Sequence, residues 1–218
     1  AAGITLVDAG AAIPSGAQWG VRWSHNSDHV EASVSLFDGY NHLPNIDVRP
    51  DPAALAVELT RVYPKLRSYG ADLAVPTRWF TFKGEAAYFT SPSSSNEEYV
   101  IYVAELERQT GEWLLDVGYI GRAITRSGTS FPFAPDRGIA RSIIGRASYT
   151  VDPRRTVAIE GAVRQGGEGF YVKGEYSEAW GQHVRLTLTG VGLAGQSDDF
   201  LGQYSRNSHG AAALRFSF

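Results

Sequence analysis

The sequence predicts an all-β protein, an antiparallel up-and-down transmembrane β-barrel of about twelve strands, on three observations. Apolar and polar residues alternate with a period of two in one segment after another. Many of these segments reach the roughly 9–11 residues needed to cross a bilayer at a tilt of about 45°, whereas strands of water-soluble domains average nearer five or six. The links between segments alternate between short and long, as periplasmic turns and extracellular loops do in outer-membrane barrels.

The strands are expected at roughly 3–9, 18–25, 30–40, 65–76, 79–90, 98–107, 112–125, 138–151, 156–166, 169–180, 183–194 and 208–218, in a single domain spanning 1–218. In the second, Trp19, Val21 and Trp23 share one face while Gly20, Arg22 and Ser24 take the other. The third sets Val30, Ala32, Val34 and Leu36 against Glu31, Ser33 and Ser35. In the fifth, Phe80, Phe82, Gly84, Ala86 and Tyr88 alternate with Thr81, Lys83, Glu85 and Ala87. Trp113, Leu115, Val117 and Tyr119 oppose Asp116, Gly118 and Arg122. Farther along, Val157, Ile159, Gly161 and Val163 face away from Glu160 and Arg164. Phe170, Val172, Gly174 and Tyr176 face away from Lys173 and Glu175, and Val184, Leu186 and Leu188 oppose Arg185, Thr187 and Thr189. The last strand opposes Leu214, Phe216 and Phe218 to Arg215 and Ser217.

Short turns fall near 26–29, 76–78, 108–112, 152–155 and 180–182, and Asp152-Pro153 initiates one of them. Longer links rich in Gly, Pro and Ser fall at 10–17, 41–64, 91–97, 126–137 and 195–207. Within the longest, Asp51-Pro52 has the form of an N-cap with a first-turn proline, which allows a short helix over 53–62. Leu55, Val57 and Leu59 alternate equally well, and an extension of the next strand beyond the membrane is the preferred reading.

Composition narrows the function classes. The net charge is −3, with 20% charged residues and no basic excess, which leaves no footprint for nucleic acid. No stretch approaches the 18–20 apolar residues of a membrane helix, and alternating strands give none even when they cross lipid. The chain has no Cys, which removes disulfides, thiolate metal sites and a Cys nucleophile. It also has no Met, so Ala1 is expected to follow processing or to lie within a longer chain.

The decisive expectation concerns the polar face. It carries both signs of charge in mid-strand, at Arg22, Glu31, Asp72, Lys83, Glu85, Glu105, Asp116, Arg122, Arg146, Glu160, Arg164, Lys173, Glu175, Arg185 and Arg215. In a soluble sandwich these would form the solvated outer face. In a barrel they line the lumen. The apolar face places Trp23, Phe80, Trp113, Tyr149, Tyr176 and Phe218 beside short turns, as an aromatic girdle at one membrane interface does.

The C-terminal run Ala211-Ala212-Ala213-Leu214-Arg215-Phe216-Ser217-Phe218 resembles the terminal strand of Gram-negative outer-membrane β-barrels. That resemblance implies a location in the bacterial outer membrane, and it implies that Leu214, Phe216 and Phe218 are read by the barrel-assembly machinery. Tyr63-Pro64-Lys65-Leu66-Arg67-Ser68-Tyr69-Gly70-Ala71-Asp72, followed by Lys83-Gly84-Glu85-Ala86-Ala87-Tyr88, resembles hairpins of larger porin-like families, including alginate-export-like channels. It implies that this chain is the C-terminal part of a larger barrel.

The function expected is a porin-like channel passing small polar or anionic solutes. Arg122, Arg146, Arg164 and Arg185 are expected to form a basic ladder facing Glu85, Glu105 and Asp116, since rings of charge tune what a pore passes. One alternative is a closed-lumen barrel with a structural, adhesive or assembly role, its charges paired into a salt-bridge core. The other is a lipid hydrolase, since His25 and Ser27 lie two apart on a strand face, and His can activate Ser as a nucleophile. The expectation is that the chain is not an enzyme and that it binds no cofactor or metal. His29, His42 and His209 read as surface or loop residues, and the acidic pairs Glu97-Glu98 and Asp198-Asp199 as solvated loops with a secondary potential to hold a divalent cation or bridge lipopolysaccharide. Gly166-Gly167-Glu168-Gly169 reads as a loop, not a phosphate cradle, because no helix follows. Expected partners are outer-membrane lipid, lipopolysaccharide, the barrel-assembly machinery and a second chain completing the barrel, with no nucleic acid.

Overall fold

A computed structural model describes residues 5–129, 131–132, 138–166 and 169–217. The strands are β1 (Thr5–Ala12), β2 (Trp19–Asn26), β3 (Glu31–Tyr40), β4 (Asn45–Asp51), β5 (Ala56–Val62), β6 (Lys65–Pro76), β7 (Thr81–Thr90), β8 (Glu98–Thr110), β9 (Trp113–Arg126), β10 (Phe131–Pro132), β11 (Ser142–Asp152), β12 (Arg155–Arg164), β13 (Gly169–Trp180), β14 (Val184–Gly195) and β15 (His209–Phe216). One short helix, α1 (Phe200–Gln203), precedes the last strand.

Eleven strands form the barrel wall in the order β2-β3-β6-β7-β8-β9-β11-β12-β13-β14-β15, each antiparallel to its neighbours. Sequential neighbours pair because short turns hold them together. At the turn after β8, Gly111 has φ +56°, and after β13 Gly181 has φ +64°, left-handed conformations that glycine adopts without a Cβ penalty. At the turn after β11, Asp152 Oδ1 accepts from the backbone N–H groups of Arg154 (2.8 Å) and Arg155 (3.0 Å), the local bonding that makes Asp a turn residue.

Directly opposed residues share a face, so the register shows where each row points. Trp113, Tyr149, Val157, Tyr176, Leu188 and Ala212 stand opposite one another in turn across β9 to β15, forming one row of the apolar face. Such rows are exposed: Trp23 is 60%, Ile143 61% and Phe216 63% accessible. Among the described residues the only buried hydrophobic side chains are Ala56, Tyr99, Ala140, Ala162 and Leu201. A chain with 43% hydrophobic residues and no packed core among its described residues needs lipid against its apolar face. The result is an antiparallel up-and-down transmembrane β-barrel, not a sandwich.

Several expectations change in detail. The wall has eleven strands in place of about twelve, because β1 leaves it and runs parallel to β5 in a second sheet ordered β1-β5-β4-β10. The link over 41–64 is therefore the β4–β5 hairpin: residues 56–62 form a strand, but one paired with β4 and β1 and not the expected extension of the next wall strand. Asp51 caps a turn without a helix, its Oδ1 accepting from Ala53 and Ala54 N–H at 3.0 and 3.2 Å. The eighth expected strand starts later, at Ser142. The link between β12 and β13 falls on the long-loop side yet is short, which breaks the strict alternation of loop lengths. Eleven alternating strands leave the terminal pair, β2 and β15, running the same way, and the register records no ladder between them among the described residues.

Candidate functional site

All fifteen charged positions expected on the polar face lie on the same face by register, opposite the apolar rows. Glu107, Asp116, Arg146, Glu160 and Lys173 stand opposite one another in sequence across β8, β9, β11, β12 and β13, an unbroken charged row. Because neighbours in the row differ in sign at most steps, the side chains pair sideways. Arg146 Nη1 lies 3.3 Å from Glu160 Oε2, and Lys173 Nζ lies 3.2 Å from Glu175 and 3.9 Å from Glu160. The Tyr171 hydroxyl donates to Glu160 Oε1 at 2.8 Å. On the other side of the row, Lys83 binds Glu107.

A second cluster sits on β2, β3 and β6. Arg22 donates through Nη2 to Asp72 and through Nε to Ser33 Oγ, both at 2.9 Å, and the Ser33 hydroxyl donates to the same carboxylate. Glu31, Asp72, Lys83, Glu85 and Glu105 surround a cavity of about 430 Å³ on this face. A further cavity of about 380 Å³ adjoins Glu107, Asp116, Arg146 and Glu160. The paired side chains remain 28–62% exposed. These ion pairs run along the wall, within a strand, to the next strand or, for Arg22–Asp72, across β3, and stay partly exposed.

The expected basic ladder is not formed. Arg146 lies directly opposite Asp116 on the adjacent strand and pairs with Glu160. Arg164 turns to the barrel mouth, where its Nε lies 3.2 Å from Asp199 Oδ1, and the two side chains are only 10% and 2% exposed. Arg122 stands opposite Ile101. Arg185 faces Arg215 across the β14–β15 pair, and among the described residues neither has an ion-pair partner. Period two gives the face of a residue but not its neighbour, which depends on strand register.

The buried Arg164–Asp199 pair anchors the loop between β14 and β15. Asp199 also caps α1, with Oδ2 accepting from Leu201 and Gly202 N–H at 2.8 and 3.4 Å. The loop fits because small residues leave room: a Cβ on Gly169 would meet Asp199 Oδ2 at 2.2 Å, and one on Gly202 would meet the Gln196 carbonyl at 1.8 Å. Asp199 is thus a structural group and not part of a solvated acidic loop. Likewise Glu98 is committed, 3.1 Å from Arg126 Nη1 and accepting from the Tyr88 hydroxyl at 3.2 Å. No group of three or more His, Cys, Asp or Glu suited to a metal occurs among the described residues.

Glu107 and Tyr171 were missed from sequence, Ser33 was placed on the polar face without a role, and Asp199 was read as a solvated acid. Glu107 shares the parity of Glu105, but the expected strand stopped at 107, whereas β8 continues to Thr110. Of the other candidates, His25 stacks on Trp23 at 6.1 Å. The Ser27 hydroxyl donates to the Val30 carbonyl at 3.0 Å and accepts from Val30 N–H at 3.2 Å, so it closes the β2–β3 turn. His209 Nδ1 lies 2.7 Å from the Asn207 carbonyl oxygen. Leu214 and Phe216 lie on the apolar face opposite Leu186 and Val184. Phe218, Gly167 and Glu168 lie outside the described residues.

No protein-family model and no curated protein matches the chain. Solved structures similar to it include Escherichia coli outer membrane phospholipase A, both in an active-site mutant at pH 6.1 and in a second structure, each with a TM-score of 0.44, 9% identity and coverage of 91% of this chain and 76% of that one. The Salmonella typhi outer membrane phospholipase dimer with bound calcium has a TM-score of 0.45 at the same identity and coverage. The chain shares with them an antiparallel β-barrel architecture, with its apolar rows on the outer face. The expectation that the chain is not an enzyme finds no support in these neighbours, which are structures of a phospholipase.

Proposed function

We propose that the barrel conducts small polar solutes through a wet, charged lumen lined by the fifteen inward positions. One observation carries the reading: the interior ion pairs lie along the wall and stay 28–62% exposed instead of meeting across the lumen. A lumen closed by a salt-bridge core would bury them. Glu31, Glu85 and Glu105 on β3, β7 and β8 have no ion-pair partner among the described residues, nor have Arg185 and Arg215 on β14 and β15. The resulting field has an acidic and a basic side, which favours small polar solutes of either charge over a purely anionic selectivity. The protein reconstituted in a planar bilayer is expected to give discrete conductance steps. Absence of current above background overturns the proposal.

Lipid hydrolysis is a second reading, favoured by one placement. His25 is exposed on the lipid-facing side of β2, two residues from an exposed Ser27. Detergent-dependent esterase activity lost in Ser27→Ala would establish it, and unchanged activity in that variant would remove it. The remaining parts of the proposal are recognition of Leu214, Phe216 and Phe218 by the assembly machinery, contact with lipopolysaccharide, kinship with alginate-export-like channels, and a strand from a second chain between β2 and β15. An unpaired strand edge in lipid leaves backbone groups unsatisfied, which is the physical support for the last of these.

A further inference from the structure

The lipid-facing wall carries a groove with an unneutralised cationic end, and we propose that it binds one phospholipid, an acyl chain in the groove and the phosphate on Arg108 and Arg78. The groove measures about 730 Å³, within the range of small-molecule sites. Its floor is the directly opposed pair Gly145 and Gly161 on β11 and β12. Without side chains there, the wall is indented, and the larger Leu106, Val117, Ile159 and Phe170 stand around the indentation. Groove residues occupy three successive outward rows, about 13 Å along the strands at ~3.3 Å per residue. A straight hydrocarbon chain fits such a channel better than a branched side chain does, and the surroundings are already lipid.

The polar end is independent of the glycines. Arg108 lies on the outward face, opposite Leu115, and lines the groove at the short-turn rim. Its guanidinium stands 6.0 Å from the centre of the Trp79 ring, and that of Arg78 stands 5.2 Å from the same ring. Neither arginine has an ion pair among the described residues. Two positive charges stand against one indole ring at a membrane interface, where an unpaired cation is costly unless it reaches water or an anion. Phe80, next to Trp79, lines the groove, so the cations and the apolar channel are contiguous. An anion carried on a hydrocarbon chain satisfies both.

The test uses the full chain, refolded in detergent, mixed with palmitoyl-oleoyl phosphatidylglycerol and read by native mass spectrometry for retained lipid. Wild type is expected to hold one lipid per chain, and Arg78→Gln with Arg108→Gln to lower its occupancy by about tenfold or more, the loss typical of charge-assisted bonds. Gly145→Leu is expected to exclude the lipid, since a Cβ there meets only the Asp116 carbonyl at 3.5 Å and the added side chain extends into the groove. If that variant does not fold, Val117→Trp fills the same space from an outward, exposed position. Val34→Leu, on β3 away from the groove, is expected to bind like wild type. Equal retention in all variants overturns the site. Equal retention of diacylglycerol, which lacks the phosphate, overturns the arginine assignment.

Discussion

The interior of the wall and the mouth of the barrel use the same chemistry to different ends. Along the wall, Arg22–Asp72 is a pair at 2.9 Å whose side chains are 62% and 44% exposed. At the mouth, Arg164–Asp199 is a slightly longer pair at 3.2 Å with exposures of 10% and 2%. Distance alone would rank them the other way. Solvent decides: an exposed pair contributes about 0–1 kcal/mol, whereas breaking a buried one strands a charge at a cost of about 3–5 kcal/mol. The wall pairs therefore leave their charges in contact with solvent, and the mouth pair fixes a loop.

The largest effect should come from Arg164→Ala, which leaves Asp199 buried and uncompensated. It is expected to destabilise the fold by about 3–5 kcal/mol and to expose the loop over 196–208 to protease, read from urea unfolding and limited proteolysis. Gly169→Ala is expected to act on the same loop more weakly, since its Cβ is placed against Asp199. Overpacking of this kind costs about 1–3 kcal/mol, and proteolysis should again begin between β14 and β15. By contrast, Arg22→Ala should change unfolding by less than about 1 kcal/mol while shifting permeability toward cations, because a positive side chain leaves the acidic side of the lumen. A large stability loss with unchanged ion selectivity would erase the distinction between wall and mouth.

The smallest effect concerns pH. Asp8, in the second sheet, accepts from Gly10 N–H at 2.8 Å and lies 3.1 Å from Arg61 Nη2. The Gly10 amide first, and then the Arg61 charge, hold its carboxyl below the usual value of 3.8. Its folded-state pKa is lowered, so its stabilisation is present above about 3.8 and fades as pH falls through the lowered value. In wild type, protection of the 5–12 segment from protease should weaken as pH falls below that point. In Asp8→Asn it should be weaker at neutral pH and insensitive to acid.

The barrel itself was legible because each spanning strand repeats its pattern over many residues, as in β9, where Trp113, Leu115, Val117 and Tyr119 share a face. The departures have physical causes. Residues in β1 alternate well enough for a strand, but pairing with β5 instead of the wall depends on where the chain returns after β4. The basic ladder failed because face assignment says nothing of register, which puts Asp116 beside Arg146. Asp199 looked solvated because its partner lies 35 residues earlier in the chain, on β12. Gly161 falls on the apolar face by alternation, but only its pairing with Gly145 makes the two a groove.

The chain has no native cysteine, so single cysteines can be placed one at a time from 114 to 119 along β9 in the barrel reconstituted in lipid vesicles. Cysteines at 116 and 118 are expected to react with a water-soluble maleimide, and those at 115, 117 and 119 to be shielded from it and quenched by bilayer-resident probes once labelled. Uniform reactivity along the strand, or the opposite parity, would contradict an apolar face turned to lipid and a charged face turned inward.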